Sequence, residues 1–595
     1  MSAIALLVVG LAAFLTGYRF YSRYVAERIY RLDPDFVTPA HEFEDGTDYV
    51  PTNKHVLFGH HFTSVAGAAP IVGPAIAVIW GWLPAFLWVV LGTIFAGAVH
   101  DFGALWLSVR HRGHSIGTVT QSVLGSRARV LFLFIIFFLL LMVNAVFAVV
   151  IANLFIANPG SIFPVWMAMP TAVAVGLLVY KTRAGILWPS IIALLLLYGY
   201  IWMGQYIQPQ LPDFFHFAPT LAQLHAAGGN TAAAQAAATT DGIRAGWVIA
   251  MLVYCIFAST LPVWFLLQPR DYINSHQLFV ALAVIFAAIV VVHPVVVAPA
   301  INHHLPADSP SWFPLLFITV ACGAISGFHG LVASGTTSKQ LDKETHARYV
   351  GYGGMVGEGL LALTSILATT AGFALYVGVD GWHEHYASFA SASTGGVNAF
   401  VDGVGSLCEG IGIPHEVAAI FAAVVVISFA VTTMDTGVRL QRYILEELGS
   451  QYRIRVLRNG IVATLGAALC IGVLALGVDR GAGGMRIWPL FGTTNQLTGA
   501  LTLLVVSAFL WRLKRNVWVT AVPMVFLFVM TTWAMLEQLA GFFRHQWMLF
   551  GVGALIFVLE VWLILEAIVA FRKMFAGGDP GTPEEKVVYD ALGTE

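Results

Sequence analysis

Polar positions in this chain do not alternate with apolar ones at strand or amphipathic-helix spacing. They are collected into short breaks between long apolar runs, near 2–20, 58–80, 84–109, 130–157, 163–180, 185–207, 246–268, 276–300, 313–336, 350–377, 415–436, 459–477, 488–511, 517–540 and 548–571. A helix needs about 20 apolar residues to cross the hydrocarbon core of a bilayer, so each run predicts one span. The expected fold is an all-α polytopic membrane protein of about 15 transmembrane helices.

Two runs are interrupted. In "GHHFTSVAGAAPIVGPAIAV", residues 59–78, Pro70 and Pro74 remove backbone donors and Gly67 and Gly73 remove bulk, so span 2 should open between about Ala66 and Pro74. In "FASTLPVWFLLQPRD", residues 257–271, Ser259, Thr260 and Pro262 place a second break in span 7. Freed backbone groups in a membrane are tolerated only where they are buried in protein or line a cavity. Half-helix N-termini favour anions, and unwound carbonyls favour cations. The expected substrate-binding residues are therefore His61, Ala68, Ala69, Pro70 and Gly73 with Ser259, Thr260 and Pro262. The two breaks lie five spans apart, and an odd repeat unit starts from the opposite side of the membrane. A 5+5 inverted repeat follows as an expectation: 1–57 a first span and connection, 58–207 the first repeat, 208–245 an external loop, 246–445 the second repeat, and 446–595 four additional spans and a short tail.

Composition narrows the class. With 58% apolar and 10% charged residues and a mean hydropathy of +0.79, the chain is far from the roughly 25% charged of soluble domains. Placing the first connection in the cytoplasm puts 26 of the 30 Lys and Arg on that side, leaving Arg244, Arg480, Arg486 and Arg544 outside. The N-terminus is then outside and the C-terminus cytoplasmic. No Gly-Lys pair is present for a phosphate-binding loop, and no H-E-x-x-H for a zinc protease. The chain is expected not to be an enzyme, which leaves transporter, channel or receptor. Cys255, Cys322, Cys408 and Cys470 have no paired spacing, and neither cofactor nor metal is expected. His383 and His385 in "WHEHYASF" have metal-ligand chemistry, but a solvated loop is the favoured reading.

"KHVLFGHHFTSVAGAAPIVGPAIAV", "GAVHDFGAL", "LPVWFLLQPRDY", "ACGAISGFHGLVASGTTSKQ", "MDTGVRLQRYILEEL" and "WPLFGTTNQL" resemble, in order, the signatures of the carbon starvation protein A (CstA) family. The resemblance runs from about Tyr18 through span 13. It implies a bacterial inner-membrane transporter of the amino acid, polyamine and organocation superfamily, with a leucine-transporter-like core, taking up peptides and pyruvate during nutrient limitation. In that fold span 9 faces the first broken helix, which makes Ser334, Thr336 and Thr337 candidate sodium or substrate-oxygen ligands.

Ionisable residues inside spans are functional candidates. Asp101, nine residues before Arg110, and Glu358, ten after Arg348, lie about 13 and 15 Å deep. Either could carry the coupling proton, as could His60 or His61. His100 and Asp101 diverge by about 100° on a helix and are not expected to pair. Asp435 and Arg439 read as a structural i,i+4 pair, Asn495 and Gln496 as helix-helix hydrogen-bond donors and acceptors, and Glu560 has no evident role. The reading is a proton symporter for pyruvate or small peptides. Its partners are a small-molecule substrate, a co-transported proton or sodium and the bilayer, with no nucleic acid. The rivals are a sodium-coupled symporter of the same fold and a non-transporting nutrient sensor.

Overall fold

The computed structural model describes residues 1–182, 185–477, 479–481, 484–544 and 546–575, and the tail beyond lies outside them. In chain order the helices are α1 (Ala3–Tyr30), α2 (Lys54–Val65), α3 (Ala69–Trp80), α4 (Trp82–Arg110), α5 (Ile116–Leu124), α6 (Ser126–Ala157), α7 (Pro159–Val179), α8 (Leu187–Gly204), α9 (Thr231–Thr260), α10 (Leu267–Val292), α11 (Trp312–Val320), α12 (Gly327–Gly335), α13 (Glu344–His385), α14 (Phe389–Glu409), α15 (His415–Gln451), α16 (Gly460–Gly477), α17 (Arg486–Arg512), α18 (Trp518–Phe542) and α19 (Trp547–Arg572). Thirteen of these are long and apolar enough to cross a membrane, and α2 with α3 forms one more span bent by 48°. The protein is a multi-pass membrane protein.

The break in span 2 falls within the expected stretch 66–74 but is confined to 66–68, since 69–77 is helical with Pro74 inside it. Val65 ends α2, Ala66 leaves helical geometry, and α3 restarts at Ala69 with Pro70 in its first turn, where its missing N–H costs nothing. The second break does not. α9 continues unbroken through Ser259 to Thr260, and Pro262 lies in the connection to α10. Gln268, just past that connection, donates to Gln340 Oε1 at 2.7 Å and Thr52 Oγ1 at 3.4 Å, at the end of the bundle where α2 begins. Ser259, Thr260 and Pro262 therefore form a turn at the bundle end and not a mid-membrane opening. Residue 261, before a proline, is driven out of the helical region, but the apolar "LPVWFLL" hides the stop from hydropathy. The true second interruption is in span 9: α11 ends at Val320, a 3₁₀ turn covers 321–323, and α12 restarts after the extended Ser326.

Packing separates core from rim. The apolar window of α17 is buried along its whole length, against a third of it in α7, α8, α18 and α19. α6 and α15 pack together at the centre. Around them the contacts come in matched sets: α9 lies on α6, α15 and α16, while α16 lies on α15 and α6; α10 lies on α2 and α15, while α17 lies on α12 and α6. Each broken span is followed by a long helix, a shorter amphipathic helix and another long helix, α4–α5–α6 and α13–α14–α15. α7 and α8 sit outside the matched sets, and α16 and α17 sit inside them.

Candidate functional site

Four buried side chains from three elements form one chain. His100 Nδ1 is 2.7 Å from Asp101 Oδ1, Asp101 Oδ2 is 3.0 Å from His329 Nδ1, and His329 Nε2 is 3.1 Å from Glu358 Oε2. All four are fully buried, in α4, α12 and α13. His100 and Asp101 do pair, contrary to the expectation from helix geometry: their Cβ atoms diverge, but rotation about the side-chain bonds brings ring and carboxylate together. Gly330 makes the room, since a Cβ there would sit 3.0 Å from His100 Cε1. Glu358 has no aligned hydrogen-bond partner for either oxygen. Asp101 and Glu358, expected as separate proton carriers, thus meet on opposite nitrogens of one imidazole. His329, from the span 9 motif "ACGAISGFHGLVASGTTSKQ", joins them.

The chain is anchored in the second break. Asn495 Oδ1 on α17 accepts from Phe328 N at 3.0 Å and Ser326 Oγ at 3.1 Å, satisfying donors that α12 leaves open at its start. Gln496 Nε2 donates to Phe317 O at 2.6 Å. Both residues serve helix-helix hydrogen bonding, as expected of polar residues inside a span, and they bond the interrupted helix specifically. Cys322 Sγ lies within 4.8 Å of donor atoms of His329 and Glu358. It already donates to Ser326 Oγ and accepts from Asn495 Nδ2, both at 3.2 Å, so it belongs to this hydrogen-bonded cap.

His60 and His61 point to different neighbours. His60 Nδ1 is 2.7 Å from Asp271 Oδ2, and His61 Nδ1 is 2.9 Å from Thr337 Oγ1. Asp271 opens a second network: Arg270 Nη2 donates to its Oδ1 at 2.9 Å, and Arg270 Nη1 donates to Asp435 Oδ2 at 2.5 Å and Tyr254 Oη at 2.6 Å. Asp435 is therefore paired across helices and not with Arg439. Arg439 instead caps the end of α9 through the carbonyls of Leu261 and Ala258 and lies 3.7 Å from Asp48. In the sequence Arg270 and Asp271 fall in the polar break between the runs 246–268 and 276–300, where charges read as a loop, so hydropathy gives no signal for this network.

The hydroxyls of Ser334, Thr336 and Thr337 do not converge. Ser334 donates to Gly330 O at 2.7 Å, Thr336 donates to Val332 O at 3.0 Å, and Thr337 meets His61. Hydroxyls in helices commonly bond their own preceding turn in this way. His383 lines a cavity of about 500 Å³ with His304 and Trp382, while His385 packs on Phe373 and Tyr386. Glu560 accepts from Thr532 Oγ1 at 2.7 Å between α18 and α19. The run Gly113–His114–Ser115–Ile116–Gly117 has hydrolase-elbow spacing, but Ser115 caps α5 and donates to Glu447 at 3.0 Å.

Ala68, Ala69, Pro70 and Gly73 are all buried at the first break. A Cβ on Gly67 would lie 2.8 Å from Thr433 Oγ1 and 3.0 Å from Phe147 Cζ. Thr433 in turn donates to Ser64 O at 3.1 Å. Three buried polar atoms near this point, Ser64 Oγ, Asn144 Oδ1 and Thr436 Oγ1, have no hydrogen-bond partner. A Cβ on Gly73 would lie 2.6 Å from Val320 O, so the two broken spans touch backbone to backbone. Gly73→Ala is expected to cost about 1–3 kcal/mol by forcing them apart, read as a lower melting temperature in detergent; an unchanged transition contradicts the contact.

Sequence comparison agrees with this architecture. A sequence profile described as "Carbon starvation protein CstA" matches residues 2–382 and 381–534. The Peptide transporter CstA of Campylobacter jejuni is 34% identical over 91% of this chain and 80% of its own length. The Pyruvate/proton symporter BtsT of Escherichia coli is 31% identical over 90% of this chain and 81% of its own. Among solved structures, a manganese transporter of Eremococcus coleocola aligns with 12% identity, covering 88% of this chain and 99% of that one, at a TM-score of 0.43. MhsT with L-phenylalanine aligns with 13% identity, covering 81% and 99%, at 0.44. With motifs, multi-pass helices and relatives matched over about 90% of this chain in agreement, the chain is a membrane transporter and belongs to the carbon starvation protein CstA family.

Proposed function

We propose that this chain imports pyruvate or small peptides across a bacterial inner membrane by proton symport, in support of growth under carbon or nutrient starvation. The observation that carries the reading is the continuous Asp101–His329–Glu358 contact, at 3.0 and 3.1 Å, across the second broken span. One imidazole between two carboxylates is a chain along which a proton can be held or passed. It links α4 and α13 to α12, so motion of the half-helix alters the proton's surroundings. Importing a monovalent anion against an inside-negative potential costs about 2.3 kcal/mol per 100 mV. One co-transported proton removes that cost for pyruvate.

In this reading the substrate sits at the α2–α3 break, by Ala68, Ala69, Pro70, Gly73 and His61, with Ser64, Asn144 and Thr436 supplying polar atoms that now lack partners. The inverted repeats run over 54–292, with the α7–α8 hairpin inserted, and over 312–512, because these spans give the matched packing sets. The end rich in Arg and Lys faces the cytoplasm, which puts the N-terminus outside.

Purified protein in liposomes, offered labelled pyruvate or alanylalanine, is expected to accumulate one of them under an imposed pH gradient. It is expected not to do so under a sodium gradient. Accumulation with sodium alone overturns proton coupling, and none with either gradient overturns symport.

A further inference from the structure

The Arg- and Lys-rich end of the bundle holds a cavity of about 330 Å³ between α5, α6, α12 and α15, and the charges on its wall are unevenly matched. Its acids are engaged. Glu447 accepts from Ser115 at 3.0 Å and Thr118 at 3.2 Å, and Glu446 lies 3.9 Å from Arg442 Nε. Of its cations, Arg129 is partly engaged and Lys339 is not. Lys339 makes no ion pair among the described residues; its ammonium rests on the rings of Tyr49 and Tyr443, at 5.3 and 5.0 Å from their centroids. Arg129 donates through Nη1 to Gln121 at 2.8 Å, and its Nη2 is 3.9 Å from Glu447, but its Nε is buried with no partner. A cation fixed by two aromatic rings keeps its charge and its donors while losing freedom, which prepares it for an anion.

The floor of this cavity leads toward the first break. Leu140 of α6 and Leu440 of α15 line it. One turn further in, Asn144 Nδ2 donates to Leu140 O at 2.7 Å, and Asn144 Oδ1 lies where a Cβ on Gly437 would meet it at 2.6 Å. A second turn in, Phe147 and Thr433 abut Gly67 in the break itself. Two helical turns, about 11 Å, separate cavity from break. The intervening layer is thin, and it carries two of the unpartnered polar atoms, Asn144 Oδ1 and Thr436 Oγ1.

We propose that this cavity is an inner carboxylate-binding station on the substrate's route from the break, with Lys339 as the principal receptor and Arg129 Nε as the second donor. It rests on the transport reading above. The volume sits at the lower end of small-molecule pockets, and the shared chemistry it selects is a small carboxylate, whether of a 2-oxo acid or of a peptide C-terminus.

Binding can be read locally and without any gradient. Ser450 lines the cavity and is exposed, and Cys255, Cys322 and Cys408 are buried, so Ser450→Cys in a Cys470→Ala background takes a single environment-sensitive fluorophore. Millimolar pyruvate or alanylalanine is expected to change its emission saturably, and whichever acts names the source of the carboxylate. Pyruvamide and alanylalanine amide are expected to have no effect. Lys339→Gln should raise the apparent Kd about tenfold, and Lys339→Arg should stay within about threefold of the parent. Equal responses to acids and amides, no response to either acid, or an unchanged Kd in Lys339→Gln overturns the station. Uptake by the same labelled protein is measured separately: its failure removes the transport reading but leaves the binding result standing.

Discussion

Glu358→Gln and Asp101→Asn are each expected to abolish accumulation driven by a pH gradient, lowering it at least about a hundredfold, while exchange of labelled for unlabelled substrate at equal pH survives. Exchange needs substrate binding and alternating access but no net proton movement, so the two assays separate coupling from binding. In the wild type, electroneutral uptake of a monovalent anion should rise about tenfold in accumulation ratio per pH unit of gradient. The two carboxylates share His329, at 3.0 Å from Asp101 and 3.1 Å from Glu358. His329→Gln should therefore lose coupling as completely as either carboxylate variant, and the double variant Asp101→Asn with His329→Gln should be no worse than each alone, as for members of one unit. A Glu358→Gln protein that keeps the wild-type pH dependence would remove the relay.

Arg270→Met should be the most destabilising single change in the core. Arg270 is 2% exposed and is held by Asp271 and Asp435, both fully buried. Removing one partner of a buried ion pair typically costs about 3–5 kcal/mol, because the remaining charge is left uncompensated, and here two carboxylates are left. That is a large share of the 5–15 kcal/mol by which domains are usually stable. The expected readout is a sharp loss of folded protein after detergent extraction and a lower melting temperature. The triple variant Arg270→Met, Asp271→Asn, Asp435→Asn should recover much of the loss, since no charge then lacks a partner. Equal stability of Arg270→Met and wild type would contradict the network.

The first break was readable at Pro70 because the effect of proline is local, the loss of a backbone donor, whereas Pro74, also expected to open the span, stands inside the continuous α3. Pro262 was misread for the same reason. A proline also ends a helix, and only the packing of Gln268 against Gln340 and Thr52 shows that residues 259–262 stand at the bundle's end. The second break has no proline. Its "ACGAISG" is merely small and weakly helical, and it stays open because Asn495, from a span 167 residues away in sequence, accepts the amide of Phe328.

The same division holds for the chemistry. Asp101, Glu358, His60 and His61 were recognisable one by one, because an ionisable side chain in an apolar run carries a cost that depends on its own position. Their partners were not: Asp101 meets His329 across 228 residues and His60 meets Asp271 across 211. Hydropathy and charge, which are sums over neighbouring residues, were enough to give a multi-pass helical membrane protein, and the order of its motifs gave the family it resembles. Which polar groups face one another depends on distances across helices, and those exist only once the helices have packed.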